Sequence, residues 1–158
     1  MPSGNLKDLA RDLRRTRDAV LRAGNNAVRE TARFGVKVAQ HYSSGAVSSA
    51  QLARVPWKHP YAARKSGPYP YGDRAIINKQ SGIFRRSWEI YTVFHLGNGI
   101  TVLGVRNRTS YATFLQHGTK RMVARPIDTL IRAEIERVFP IILARELERA
   151  LKTSMVKK

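Results

Sequence analysis

Cysteine is absent from this chain of 158 residues, which excludes a disulfide framework and every thiolate metal or redox site. Long apolar runs are missing too. Nothing approaches the roughly 18 consecutive apolar residues a spanning helix needs, and the first residues carry Asp8 and Asp12 among arginines instead of the basic-then-apolar build of a signal peptide. A soluble protein, made in the cytosol and without a membrane partner, is the expectation. Carboxylates are scarce: between residues 31 and 127 only Asp73 and Glu89 occur. Paired acid–base catalysis would have to recruit groups from helix surfaces.

The remaining inventory of reactive groups is equally thin. His41, His59, His95 and His117 do not stand three or four residues from another ligand, so no helical metal motif forms. Ser43-Ser44 and Ser48-Ser49 lack the glycines of a nucleophile elbow and read as helix-ending or linker residues. Gly97 and Gly99 are closely spaced, yet no phosphate-binding loop follows a strand and opens a helix. No cofactor and no enzymatic activity are expected.

What the chain has is positive charge. Lysine and arginine number 29 against 11 aspartates and glutamates, a formal net charge of +18. Solubility is reached at a magnitude of roughly 2 to 8 in a small domain, so the excess points to an anionic partner; charge alone attracts nucleic acid, an anionic membrane or an acidic protein surface and does not say which.

The length suits one domain, divided by pattern into four parts: an N-terminal helical region over 1–55, a loop or arm over 56–81, a sheet region over 82–126 and a C-terminal helix over 127–152. Leu6, Leu9, Leu13, Val20, Ala27, Phe34 and Val38 recur at helical steps, predicting one apolar face on a helix from about 5 to about 42, with a basic face opposite. Asn5 and Asp8 suit its N-terminus, and Gly24-Asn25-Asn26 marks a weak point where it can kink or break.

In 56–81, Pro56, Pro60, Gly67-Pro68, Pro70 and Gly72-Asp73 interrupt any regular pattern. Trp57, Tyr61, Tyr69 and Tyr71 alternate there with Lys58, Arg64, Lys65, Arg74 and Lys79. Such a stretch either stacks bases and neutralises phosphates or reaches into a neighbouring subunit, where tyrosine and arginine dominate interface energetics. The arm reading is favoured, because no helix-turn-helix, zinc or strand-platform signature accompanies it. Trp57, Tyr61, Tyr69, Tyr71, Phe84, Arg85 and Arg125 are the expected interface residues. The five cations of the loop are expected to face DNA or an acidic surface.

From Ser87 the period becomes two: Trp88, Ile90, Thr92 and Phe94 alternate with Glu89, Tyr91 and Val93. With Gly97-Asn98-Gly99 as the turn and Ile100 to Val105 as a β-branched second run, this predicts an antiparallel hairpin. Tyr111 to Leu115 suggests a short helical turn ended by Gly118, and Pro126 opens a last helix with Asp128 in its first turn. Ile131, Ile135, Val138, Ile142 and Leu147 or Leu151 line one side of that helix. Pro140 should bend or break it near Arg137, and Thr153 to Lys158 should fray. The predicted fold is α+β: a long N-terminal helix and a C-terminal helix packed on a small antiparallel sheet, with a long basic and aromatic loop.

Three short segments, in order, resemble the tail-completion family of tailed bacteriophages, also described as head–tail joining or neck proteins. They are Ser81-Gly82-Ile83-Phe84-Arg85-Arg86-Ser87-Trp88, Tyr111-Ala112-Thr113-Phe114-Leu115-Gln116-His117-Gly118-Thr119 and Met122-Val123-Ala124-Arg125-Pro126-Ile127. Each is similar to the family's run before its first strand, its tyrosine–alanine opening with glycine–threonine close, and its alanine–arginine–proline start of the final helix. Gln116 and His117 stand where the family usually carries an acidic and an aromatic residue, and the 56–81 loop is longer than the family's. The resemblance implies a structural virion protein, a homo-oligomeric ring and specifically a hexamer, joining connector to tail tube and assembled in the host cytoplasm. Part of the positive charge is expected to line a channel that DNA crosses. The alternative expectation is a nucleic-acid-binding protein that uses its basic helix face and loop.

Overall fold

The computed structural model describes residues 5–45, 82–95, 99–119 and 124–156. The expected arm, with Trp57, Tyr61, Tyr69, Tyr71, Lys58, Arg64, Lys65, Arg74 and Lys79, lies outside the described residues, as does the Gly97-Asn98 pair of the turn.

The fold is α+β. Helix α1 runs Leu6–Tyr42, the single turn α2 Ile83–Arg86, strands β1 Trp88–His95 and β2 Thr101–Asn107, the short α3 Ala112–His117 and the long α4 Ile127–Val156. The Asn5 side chain caps α1 by accepting from the Lys7 N–H at 3.3 Å, with Asp8 in the first turn, so the carboxylate meets the positive end of the helix. Gly118 adopts φ 74° and ends α3, its N–H bonding Phe114 O; that conformation favours glycine. Pro126 immediately precedes α4, where its fixed φ suits a helix start.

Helix α1 does not break at Gly24-Asn25-Asn26 but continues as one 37-residue helix. Asn25 instead holds the hairpin: its Nδ2 donates to Gly99 O at 2.6 Å and its Oδ1 accepts from the Thr101 N–H at 3.0 Å. A Cβ at Gly24 meets nothing within 4 Å. Gly24→Ala is therefore expected to raise stability by about 0.5–1 kcal/mol through helix propensity alone. Urea unfolding followed by circular dichroism reads this as a higher midpoint at unchanged slope.

The predicted apolar face of α1 packs only in its second half, where Ala27 is fully buried and Val38 lies against the core cluster. Leu6, Leu9, Leu13 and Val20 are exposed, Leu6 at 81 %, and every residue from Asn5 to Arg17 lies on the surface. The buried line is Ala19, Ala23, Ala27, Thr31, Gly35 and Ala39, a ridge of small side chains recurring every fourth position, with Ala32 beside it. Such a ridge lets a second helix approach closely and cross at an angle. That helix is α4, which runs antiparallel: Arg145 pairs with Glu30, Ile135 lies against Gly35, and Ala39 shares a buried cluster with Ile127 and Ile131. Leu6 to Leu13 precede the first buried position, Ala19, and so lie outside this ridge.

Helix α4 continues through Pro140 without the break that was one of the two expected outcomes, and extends to Val156. Ile131 and Ile142, buried on either side of the proline, hold both halves in the fold, which offsets the missing backbone hydrogen bond. Arg145 donates to Glu30, and this pairing holds the Glu30 carboxyl below its usual range, reinforced by the positive charges of Arg145, Arg149 and Arg33.

The hairpin pairs Trp88 with Asn107, Ile90 with Val105 and Thr92 with Leu103, then skips to Phe94 with Val102. Directly opposed residues share a face, and Val105 reaches Gly35, so Trp88, Ile90 and Thr92 face α1. The irregularity at Val93 reverses the alternation. Phe94 thereby leaves the face predicted for it and joins Val102 and Gly104 on the outer side, 48 % exposed, as bulges re-aim side chains. On that side the Arg106 guanidinium sits 5.0 Å over the Tyr91 ring and bonds Glu89 at 2.8 Å.

Candidate functional site

The hairpin separates the first of the segments that carry the family resemblance from the second, and the third follows the second almost directly in the chain; their described parts meet at one end of the molecule, around the C-terminus of α1. Gly82, at φ 77°, opens α2, and Ser87 closes it by bonding back to Ile83 O through both its N–H and its hydroxyl. The Phe84 ring meets Trp88 edge-on at 5.6 Å and Tyr111 at 5.8 Å, which joins the first segment to the second. The Arg125 N–H donates to Leu115 O at 2.9 Å, joining the second to the third. Beneath them lies a cluster of Ala39, Leu115, Ile127 and Ile131, with Phe84, Trp88, Val38, Tyr42 and Ile135 packed against it.

Two polar residues fasten this end. Ser43 is buried, donates its hydroxyl to Ala39 O at 2.7 Å and accepts from the Trp88 indole N–H at 2.8 Å. Asn107 donates to Phe84 O at 2.8 Å and accepts from the N–H and hydroxyl of Thr109, holding the exit of β2 against α2. Neither role was legible beforehand: Ser43 read only as a helix-ending residue and Asn107 carried no signal.

The expected interface residues divide here. Phe84 is partly buried and built into the cluster, while Arg85 is exposed. Arg125 is fully buried, at 0 % exposure. Its side chain is thus packed inside the chain and does not present itself to a partner, a correction to the surface contact expected of it. The exposed apolar groups at this end are instead Ile83, Tyr111 and Phe114, the last at 56 %, near the exposed cations Arg85, Arg86 and Arg108. Aromatic and apolar centres with arginine nearby are the composition of protein interfaces. The signal for Phe114 was its place inside the second segment, which drew attention to the pattern and not to the side chain.

Chemistry has little to work with among the described residues. No three His, Asp or Glu side chains gather there as a metal site. An open cleft of about 330 Å³ brings Lys37, Val38, His41 and Tyr42 of α1 opposite Glu134 of α4. Glu134 is engaged by Arg137 at 2.8 Å, and His41 lies edge-on to Tyr42 at 5.5 Å. His95 meets the Thr101 hydroxyl at 3.2 Å on the hairpin, and His117 lies exposed in the last turn of α3. No described helix is long and apolar enough to cross a membrane. Comparisons with protein-family models, with curated proteins and with solved structures find no match for this chain.

Proposed function

We propose that this chain is a structural, non-enzymatic component of a tailed-phage virion, of the tail-completion type, forming a hexameric ring between connector and tail tube. The observation that carries the reading is the meeting of the three segments. Residues that resemble one family on both sides of the hairpin, in the run around Phe84 and in the two neighbouring runs from Tyr111 to Ile127, form one packed cluster, with Ile83, Tyr111 and Phe114 left on its outside. A second support is the hairpin. Its two strands form a two-stranded sheet with no further strand beside either edge among the described residues, and copies closing into a ring remove such edges by symmetry. The exposed Leu6, Leu9 and Leu13 of α1 add apolar surface of the kind that seeks a neighbour.

In this reading binding energy comes from apolar and aromatic contact, and the positive field orients the subunit toward acidic partner surfaces. The ring forms in the infected cell and remains in the virion.

Sedimentation velocity of the purified protein tests it. The wild type is expected to form a closed oligomer, and the double variant Ile83→Ser/Phe114→Ser to sediment as a folded monomer with an unchanged circular dichroism spectrum. Both side chains are more than half exposed, so the loss reports contact between copies and not misfolding. Particles assembled without the protein are expected to be empty or DNA-leaking heads beside detached tails of normal length. A wild type that stays monomeric and is missing from purified virions ends the reading.

A further inference from the structure

The second half of α1 carries an uninterrupted ridge of nitrogen donors. Between residues 21 and 42 the exposed residues are Arg22, Asn26, Arg29, Arg33, Lys37 and His41. They follow one another at steps of three or four, so they form one line on the helix, about 28 Å long at 1.5 Å rise per residue. The single carboxylate in this half, Glu30, is turned to Arg145 on α4. Among the described residues Arg22, Arg29, Arg33 and Lys37 have no salt bridge. In the first half of the same helix Arg11, Arg15 and Arg17 are paired with Asp8, Asp12 and Asp18, and Lys7 and Arg14 alone among its cations have no salt bridge among the described residues.

We infer that this ridge binds the sugar–phosphate backbone of a nucleic-acid duplex, without regard to sequence. The inference goes beyond the neck reading and does not depend on it. Three features favour a duplex backbone. A docking surface for protein needs an apolar or aromatic anchor, and no exposed residue of the ridge is apolar. Single strands are held by aromatic stacking, and no exposed residue of the ridge carries a stacking aromatic apart from the terminal His41 imidazole. A linear array of cations matches a linear array of phosphates: one strand of duplex presents a phosphate about every 3.4 Å of axis, so the ridge lies beside roughly eight of them. The guanidiniums of Arg22, Arg29 and Arg33 bond phosphate oxygens in their fork geometry, and Asn26 adds a neutral donor between the first two.

The located charge, as opposed to the total, is what an experiment separates. Fluorescence anisotropy of a labelled 30-base-pair duplex of arbitrary sequence is measured over a range of salt for two triple variants. Arg22→Gln/Arg29→Gln/Arg33→Gln and Arg11→Gln/Arg15→Gln/Arg17→Gln remove the same charge from the same helix at exposed positions, and circular dichroism checks that both stay folded. The ridge variant is expected to bind at least tenfold more weakly near 0.1 M salt, with the slope of log K against log salt reduced by about 2 to 3, since each phosphate contact contributes about 0.9. The paired-arginine variant is expected to lose less than about threefold. Equal losses from the two variants, or no loss from the ridge variant, overturn the inference. So does competition by polyglutamate as strong as that by unlabelled duplex at equal charge, which assigns the ridge to an acidic protein surface instead.

Discussion

Trp88→Ala is expected to lower stability by about 3 kcal/mol, the largest loss foreseen for any single side chain in this fold. The ring is partly buried against the core cluster, meets Phe84 edge-on at 5.6 Å and donates its N–H to buried Ser43 at 2.8 Å. Removing a large packed aromatic costs roughly 3–5 kcal/mol, through lost transfer energy and the cavity left behind; the partial exposure places this one at the lower end. Trp88→Phe separates the two contributions. It keeps a ring against Phe84 and loses the hydrogen bond, while the Ser43 hydroxyl still donates to Ala39 O. No buried donor is stranded, and the loss should be about 1 kcal/mol. Urea unfolding followed by far-ultraviolet circular dichroism reads both. Similar midpoints for the two variants would mean that the indole hydrogen bond, and not the ring, holds β1 to the end of α1.

Gly35→Leu is expected to cost about 2–3 kcal/mol, whereas Gly35→Ala should leave stability near the wild-type value. A Cβ at position 35 comes within 2.9 Å of Ile135 Cδ1 and 3.1 Å of Val105 Cγ2, so this glycine is where α4 and β2 both come close to α1. A single methyl meets the flexible end of the isoleucine, which can turn aside, and the strain is offset by a helix-propensity gain of about 1 kcal/mol. A leucine needs space that is already filled, and overpacking of this kind typically costs 1–3 kcal/mol, occasionally more. Its effect on the unfolding midpoint should oppose that of Gly24→Ala, eleven positions earlier in the same helix, where the space is open. A stabilised Gly35→Leu would contradict the close approach of the three elements.

The contrast between these two glycines shows what kind of information the chain discloses. Helix ends were legible because their chemistry is local: Asn5 can accept from a first-turn N–H, Gly118 can take a positive φ, and Pro126 can precede a helix without losing a bond. The hairpin was legible for the same reason, through its period of two and its glycine-flanked turn. The reversal at Val93 was not, since no glycine or proline marks it and only the register with β2 reveals it. Nor was the tie from Asn25 to Gly99, 74 positions apart, whose asparagine read as a helix-weakening residue.

The candidate site follows the same division. Its three segments could be picked out as strings, and their meeting around Ser43, Phe84 and Leu115 depended on packing. Arg125 drew attention as a surface contact and is buried, because its immediate neighbours in the chain do not specify what covers it.

Composition and local pattern were sufficient for the α+β class, the helix ends and the basic excess, since each depends on residues a few positions apart or on simple counting. Which side of α1 is buried required the second helix. Leucines give the strongest hydrophobic signal at its start, yet α4 packs along the alanine and glycine ridge. Close approach of two helices is set by how small the facing side chains are, and that preference becomes visible only when both helices are in place.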